Sequence, residues 1–249
     1  MQVLLEDAQA VLGSQFVGMY LEGSLASGDF DHASDIDFVV VTRQEVSPKA
    51  FTALHAMHER FNQMDARLAV ELEGSYLSRG ALRRYDPACD VHPNIERGKG
   101  ERLKLVEHGE AWVIHRHILW KRGITLAGPA LQSLIDPVTP DDLRKGMHSL
   151  LQVWGSHLLS HPSEMSFHGY QCYVVLSLCR ILYTLDQADV VSKQTAKRWA
   201  QDEFGEPWRG LIQRAWEGRL DSSLPDVSDD FQQTLDFIRF TLEHSQQRP

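Results

Sequence analysis

Apolar positions recur with different periods in the two halves of this chain. Leu4, Leu5, Ala8, Val11 and Leu12 repeat at helical spacing and predict an opening helix with one apolar face. Phe16-Val17-Gly18-Met19-Tyr20-Leu21 follows as a strand. Phe38-Val39-Val40-Val41 is continuously apolar, which suits a strand covered on both faces. Residues 50–64 carry Phe51, Leu54, Met57, His58 and Phe61 on one helical stripe. Residues 67–76 alternate, with Leu68, Val70 and Leu72 opposite Glu71, Glu73 and Ser75, and predict another strand. Residues 84–104 are rich in Pro, Gly, Asp and Arg and predict a loop, whereas residues 111–118 fit a strand or the start of a helix equally well.

From Asp136 onward the pattern becomes helical throughout. In Asp136-Pro137-Val138-Thr139-Pro140-Asp141-Asp142, Thr139 is placed as an N-cap, Pro140 at the first helical position and two acids in the first turn. Leu143, Met147, Leu150, Leu151 and Trp154 form the first stripe. Tyr173, Leu176 and Arg180, with Val175, Leu178, Ile181, Leu182 and Leu185, form a longer and more apolar helix. Ser192 can cap the next helix, and Ser228-Asp229-Asp230 opens a last one with Phe231, Leu235, Ile238 and Leu242 inward. The layout is an α/β (α+β) domain over residues 1–139 followed by an all-α helical bundle over residues 140–249, with no internal repeat.

Composition narrows the function classes. With 43% hydrophobic and 24% charged residues the chain reads as a soluble globular protein, and no apolar run is long enough to span a bilayer. The start of the chain lacks a basic segment and Asp7 interrupts its apolar run, so no signal peptide is expected. Three cysteines are too few and too scattered for a disulfide framework; Cys172 and Cys179, seven apart in an apolar helical pattern, read as core thiols in a reducing compartment, which makes the cytoplasm the default location. Acids outnumber bases 34 to 25, a formal charge of −9, which disfavours nucleic acid and attracts small cations. Nothing here demands an oligomer; a monomer is compatible with the pattern.

The chemistry concentrates in the stretch from Leu21 to Val41. A strand ends at Gly23-Ser24, where a small hydroxyl and bare backbone N–H groups could receive a phosphate. Gly28 allows a turn, and Ser34 precedes a second strand that begins with Asp35 and Asp37. Two residues apart on a strand, both carboxylates face the same way with Cα atoms roughly 6.5–7 Å apart. Acids so placed repel unless a cation lies between them, and hard oxygen ligands of this kind suit Mg²⁺ together with substrate phosphates. A third acid completes a two-metal or metal-plus-base centre, and either Glu71 or Glu73 could supply it, the role being general base for an attacking hydroxyl. His108 and His115-Arg116-His117 lack an acid or cysteine at zinc spacing and read as structural.

Gly23-Ser24, Ser34-Asp35-Ile36-Asp37, Leu72-Glu73-Gly74-Ser75-Tyr76, Leu126-Ala127-Gly128-Pro129, the segment from Val174 to Tyr183 and Val191-Ser192-Lys193 together resemble the streptomycin and spectinomycin adenylyltransferases, within the DNA polymerase beta-like nucleotidyltransferase superfamily. The resemblance runs from about Leu21 to about Trp216. It implies a nucleotidyltransferase domain with a small mixed sheet and a helical domain that closes over the cleft. It further implies Asp35 and Asp37 as ligands of two Mg²⁺ ions, Glu73 as catalytic base and further ligand, and ATP as co-substrate. Gly23, Ser24 and Ser34 would lie at its phosphates, with Arg180 and Lys193 as nucleotide-binding cations. The implied acceptor is a small cationic molecule of aminoglycoside or aminocyclitol type, near which Glu71, Trp154 and Glu164 are candidate contacts. The match weakens there: residues 92–102 lack the Trp of streptomycin-accepting relatives, and the stretch between Trp154 and Tyr173 is longer than theirs. The alternatives are a toxin–antitoxin type nucleotidyltransferase that modifies a protein or tRNA, and a catalytically silent nucleotide-binding module.

Overall fold

The computed structural model describes residues 1–28, 30, 34–64, 71–219 and 228–246. The chain divides into two compact units, Met1–Val138 and Thr139–Pro249.

Among the described residues, the first unit is built on six strands: β1 (Phe16–Leu21), β2 (Ile36–Thr42), β3 (Leu72–Ser78), β4 (Val91–Ile95), β5 (Lys104–Glu107) and β6 (Ile124–Ala127). Their order is β5-β4-β3-β2-β1-β6. The β2–β3 pair is parallel and every other pair antiparallel, so the sheet is mixed. Parallel neighbours need a crossover, and here it carries α3 (Pro48–Asn62). That helix starts where Ser47 Oγ accepts the Ala50 N–H at 3.3 Å, with Pro48 in the first turn.

Alternation along the strands sorts side chains onto two faces. On one, Met19, Phe38, Val40, Leu72 and Tyr76 pack with Leu4 of α1 (Gln2–Leu12) and Leu54, Met57 and Phe61 of α3. His58 lies inside this layer, 2.8 Å from Tyr76 Oη, and burial pulls its imidazole down to about 4, so it is neutral at pH 7. On the other face Tyr20, Val39, Val41 and Leu77 pack with Leu82 of α4 (Arg79–Arg83) and with Trp112, Leu119 and Leu131. Each layer is one wall of a sheet buried on both sides, as the unbroken apolar run in β2 requires.

Two sequence expectations change here. Residues 84–104, expected as a loop, contain β4 and the first residue of β5. β4 is held by pairing, Gly74 with Ile95 and Ser75 with Asn94, and by burial of His92, Pro93 and Ile95, although Pro93 and Asn94 are themselves poor strand formers. The ambiguous residues 111–118 form a helical turn, Glu110–Trp112, that runs into α5 (Val113–Arg122). Leu68 and Val70 lie outside the described residues. β3 begins at Leu72, so Glu71 immediately precedes the strand, its carbonyl accepting the Ile36 N–H at 2.8 Å.

The second unit is helical: α6 (Pro140–Ser160), α7 (His168–Gln187), α8 (Lys193–Phe204), α9 (Trp208–Gly218) and α10 (Ser228–Gln246). Thr139 Oγ1 accepts the Asp142 N–H at 3.1 Å and donates to the Asp142 carboxylate at 2.6 Å. Ser192 caps α8 by accepting the Thr195 N–H at 3.1 Å. α7 is the central helix, packed against α6, α8, α9 and α10 through a buried stripe that includes Cys172, Val175, Leu178, Cys179 and Leu182. Burial pushes the Cys179 thiol up, out of the reactive range. Arg180 is half-buried at the margin of this stripe and not sealed in it. Among the described residues no helix is long and apolar enough to cross a membrane.

Candidate active site

The parallel β2–β3 register sets Asp37 directly opposite Glu73 and Ile36 opposite Leu72. Leu72 and Tyr76 belong to the layer under α1 and α3, so Glu73 turns to the opposite face with Ser75 and Leu77. Asp37 shares that face with Val39 and Val41. Carboxylate oxygens of Asp35, Asp37 and Glu73 all come within 4.8 Å of one another, each residue half-buried. β1 ends beside them: the Glu22 N–H donates to the Asp37 carbonyl at 3.1 Å, and α2 (Gly23–Ser27) begins at once. Ser24 Oγ is buried there without a hydrogen-bond partner, which is costly for a hydroxyl unless a polar ligand meets it.

Gly23 is required on two counts. Its φ is +64°, and a Cβ at this position would clash with Asp37 Oδ2. A Gly23→Ala protein is therefore expected to lose about 1–2 kcal/mol from the left-handed backbone alone. It must also displace the Asp37 carboxylate, so nucleotidyl transfer should fall much further than the loss of stability accounts for. Parallel melting and activity measurements check this; a variant melting low but transferring normally would separate Gly23 from the centre.

The electrostatics are those of a crowded anionic centre. Asp37 is pushed up to about 8, first by burial and then by Asp35, Glu22 and Glu73, with His115 opposing. Glu73 is raised by burial and by Asp35, and lowered by His115 and Arg97. Arg97 Nη1 lies 3.7 Å from Asp35 and 3.8 Å from Glu71. His115 Nδ1 is 3.2 Å from both carboxylate oxygens of Glu22. Three convergent hard oxygen donors, electrostatically frustrated and flanked by an unpartnered hydroxyl, fit a divalent cation of the Mg²⁺ type.

Of the residues singled out from sequence, the fold brings Gly23, Ser24, Asp35, Asp37 and Glu73 together. Ser34 precedes Asp35 and is half-buried. Glu71 stands at the rim, on Arg97. Pattern reading missed Glu22 and Arg97 and left His115 as a structural histidine. The available signal was an acid closing an apolar strand immediately before Gly23-Ser24. His108, for its part, lies 3.3 Å from Ser75 Oγ. Among the described residues, Asp35, Asp37 and Glu73 are the one group arranged to hold a metal ion.

The remaining candidates lie in the helical unit. Lys193 is the first residue of α8, with its Nζ 4.8 Å from the Tyr173 ring centre. Arg180 lies on α7, where its carbonyl accepts the Thr184 hydroxyl at 2.8 Å. Trp154 meets Tyr173 edge-on at 6.1 Å. Glu164 lies in a helical turn, Pro162–Met165, its carboxylate 3.0 Å from His157 Nε2.

Comparison with known proteins places both units. Residues 12–72 match the family described as nucleotidyltransferase domain, and residues 133–244 match aminoglycoside adenylyltransferase, C-terminal domain. An aminoglycoside (3'') (9) adenylyltransferase of Escherichia coli is 25% identical over 122 residues, 48% of this chain but only 44% of the relative's length. A spectinomycin 9-adenylyltransferase of Campylobacter jejuni is 23% identical over 249 residues, covering 95% of this chain and 92% of the relative. The crystal structure of a spectinomycin adenyltransferase from Enterococcus faecialis, solved with ATP and spectinomycin, superposes with a TM-score of 0.77 over 97% of both chains at 14% identity, and so shares the fold. The chain thus carries, in order, a match to a nucleotidyltransferase domain and a match to the C-terminal domain of the aminoglycoside adenylyltransferases.

Proposed function

We propose that the protein transfers AMP from ATP to a hydroxyl of a small cationic aminocyclitol or aminoglycoside and releases pyrophosphate. The convergence of Asp35, Asp37 and Glu73 carries this reading. Asp35 and Asp37 would hold Mg²⁺, as two ions with Glu73 contributing a ligand, and bound Mg²⁺ supplies charge neutralisation for the phosphates. Glu73 takes the proton from the acceptor hydroxyl on its carboxylate. The hydroxyl oxygen forms a bond to the α-phosphorus while the bond from that phosphorus to the β-phosphate bridging oxygen breaks, and pyrophosphate carries the electron pair away.

The raised proton affinity of Glu73 suits a base that must compete for a hydroxyl proton. Ser24, whose hydroxyl is buried and unpartnered, is assigned to a phosphate oxygen together with the Gly23 backbone. Ser34, Arg180 and Lys193 are assigned to the nucleotide on the family match. Glu71, Trp154 and Glu164 stand as candidate acceptor contacts. The acidic balance of the chain favours a cationic acceptor over tRNA.

The deciding experiment is pyrophosphate release from ATP and Mg²⁺ with streptomycin, spectinomycin, other aminoglycosides and a buffer blank. Release dependent on one drug names the acceptor class. ATP binding without release for any drug points to the toxin–antitoxin type of acceptor, a protein or tRNA.

A further inference from the structure

One acid at the centre has no part in the three-carboxylate scheme. Glu22 closes β1 with its side chain 8% exposed, next to Gly23 and hydrogen-bonded through its backbone to Asp37. A fourth carboxylate buried beside three others is costly unless something compensates it. The compensation is built. Both Glu22 oxygens lie 3.2 Å from His115 Nδ1, and the His115 ring lies flat on Trp112, with centres 5.3 Å apart and planes 18° apart. Trp112 lies flat in turn on His108, at 5.0 Å and 9°. His108 Nε2 is 3.3 Å from Ser75 Oγ, which also accepts from the Asn94 amide at 3.0 Å. Ser75 is two residues beyond Glu73 on the same face of β3.

Side chains 22, 115, 112, 108 and 75 thus form a continuous path from the strand end that holds Asp37 to the strand that carries Glu73. The Arg116 guanidinium, 5.5 Å from the Trp112 ring centre, braces the middle of the path. The ring stack backs one face of His115, whose side chain is 49% exposed on the other, and so favours the rotamer that meets Glu22.

We infer that Glu22 and His115 are a positioning pair for the cation centre: Glu22 adds a fixed negative charge that strengthens divalent-cation binding by Asp35, Asp37 and Glu73, and His115, backed by Trp112 and His108, holds that charge in place and, when protonated, opposes part of its field. This rests on the cation-binding reading of the centre given above. Glu22 and His115 both lie close enough to Asp37 to act on its carboxylate through space. Groups that orient metal ligands from behind typically change metal affinity or activity about 10–100-fold when removed.

Glu22 and a protonated His115 act in opposite directions, which separates this role from a merely structural one. Mn²⁺ binding to the full-length protein, read by calorimetry without nucleotide, should weaken about tenfold in Glu22→Gln. His115→Gln should not weaken it, because the opposing group is gone while the Glu22 charge remains. Glu22→Asp keeps the charge and should restore most of the affinity. In both Gln variants kcat for AMP transfer should fall while KM for ATP stays close to the parent's. Equal weakening of Mn²⁺ binding in both Gln variants with matching losses of melting temperature overturns the proposal, as does Mn²⁺ affinity unchanged in Glu22→Gln. A parent that binds no Mn²⁺ removes it together with the cation centre. A parent that binds Mn²⁺ but modifies no drug sinks only the acceptor reading, and the signs of the two affinity changes still decide this one.

Discussion

A Glu73→Gln protein is expected to fold, bind ATP and lose about 10²–10⁴ of its kcat, the range a positioned general base contributes. The substitution conserves shape and removes a carboxylate whose proton affinity is already raised by burial and by Asp35. Its melting temperature should therefore hold or rise, since one of several mutually repelling buried acids is gone. KM for ATP should change little if Ser24, Arg180 and Lys193 carry the nucleotide. Pyrophosphate release measured beside ATP binding and melting checks all three points. Turnover at the parent's rate would remove Glu73 from the base role and turn attention to Glu71, which instead lies against Arg97.

The second large effect concerns Asp37 and couples pH to the cation. In the metal-free protein its carboxyl titrates near 8 in place of the ordinary 3.8. Below pH 3.8 the folded and unfolded chains both hold this proton. Between about 4 and about 8 the folded chain keeps a proton that the unfolded chain has released, so stability falls as pH rises through that window and levels off above it. A divalent cation binds the ionised form and must displace the proton, so its stabilising effect grows over the same window. Melting curves in chelator should thus decline from pH 5 to pH 8, and saturating Mg²⁺ should reverse most of the decline at pH 8 and little of it at pH 5. Asp37→Asn should flatten the decline and abolish the Mg²⁺ shift. The same slope in Asp37→Asn as in the parent would mean that other groups set the pH dependence and that the crowding at Asp37 is relieved without a cation.

Local chemistry makes a large part of this protein legible from the order of its residues. The apolar run 38–41 suits a strand buried on both faces, and it is the middle of β2. The stripe Leu54, Met57, His58 and Phe61 has a single helical solution, and Ser47 and Thr139 carry the hydroxyls that begin their helices. Ser34-Asp35-Ile36-Asp37 running directly into that apolar strand was enough to put two carboxylates on one sheet face. These features depend on periods of 2 and 3.6 and on caps, which are properties of neighbouring residues.

What needed the fold was everything set by pairing between distant segments. β4 is a strand because β3 lies beside it, not because of its own Pro- and Asn-containing sequence, and propensity alone reads such a segment as a loop. Choosing between Glu71 and Glu73 was beyond periodicity, since both have the right parity. In the fold the oxygens of Glu73 come within 4.8 Å of those of Asp35 and Asp37, while Glu71 lies against Arg97. Glu22 and His115 are 93 residues apart, and no local pattern announces a carboxylate–imidazole contact over that distance. By itself the sequence determined the segments with a clear period or cap, where two acids share a face and, through the family resemblance, Glu73 as the expected third acid; only the tertiary structure decided the strand in residues 84–104, the convergence of the three carboxylates and the charges that surround them, because convergence of side chains is set by non-local pairing and packing that periodicity does not encode.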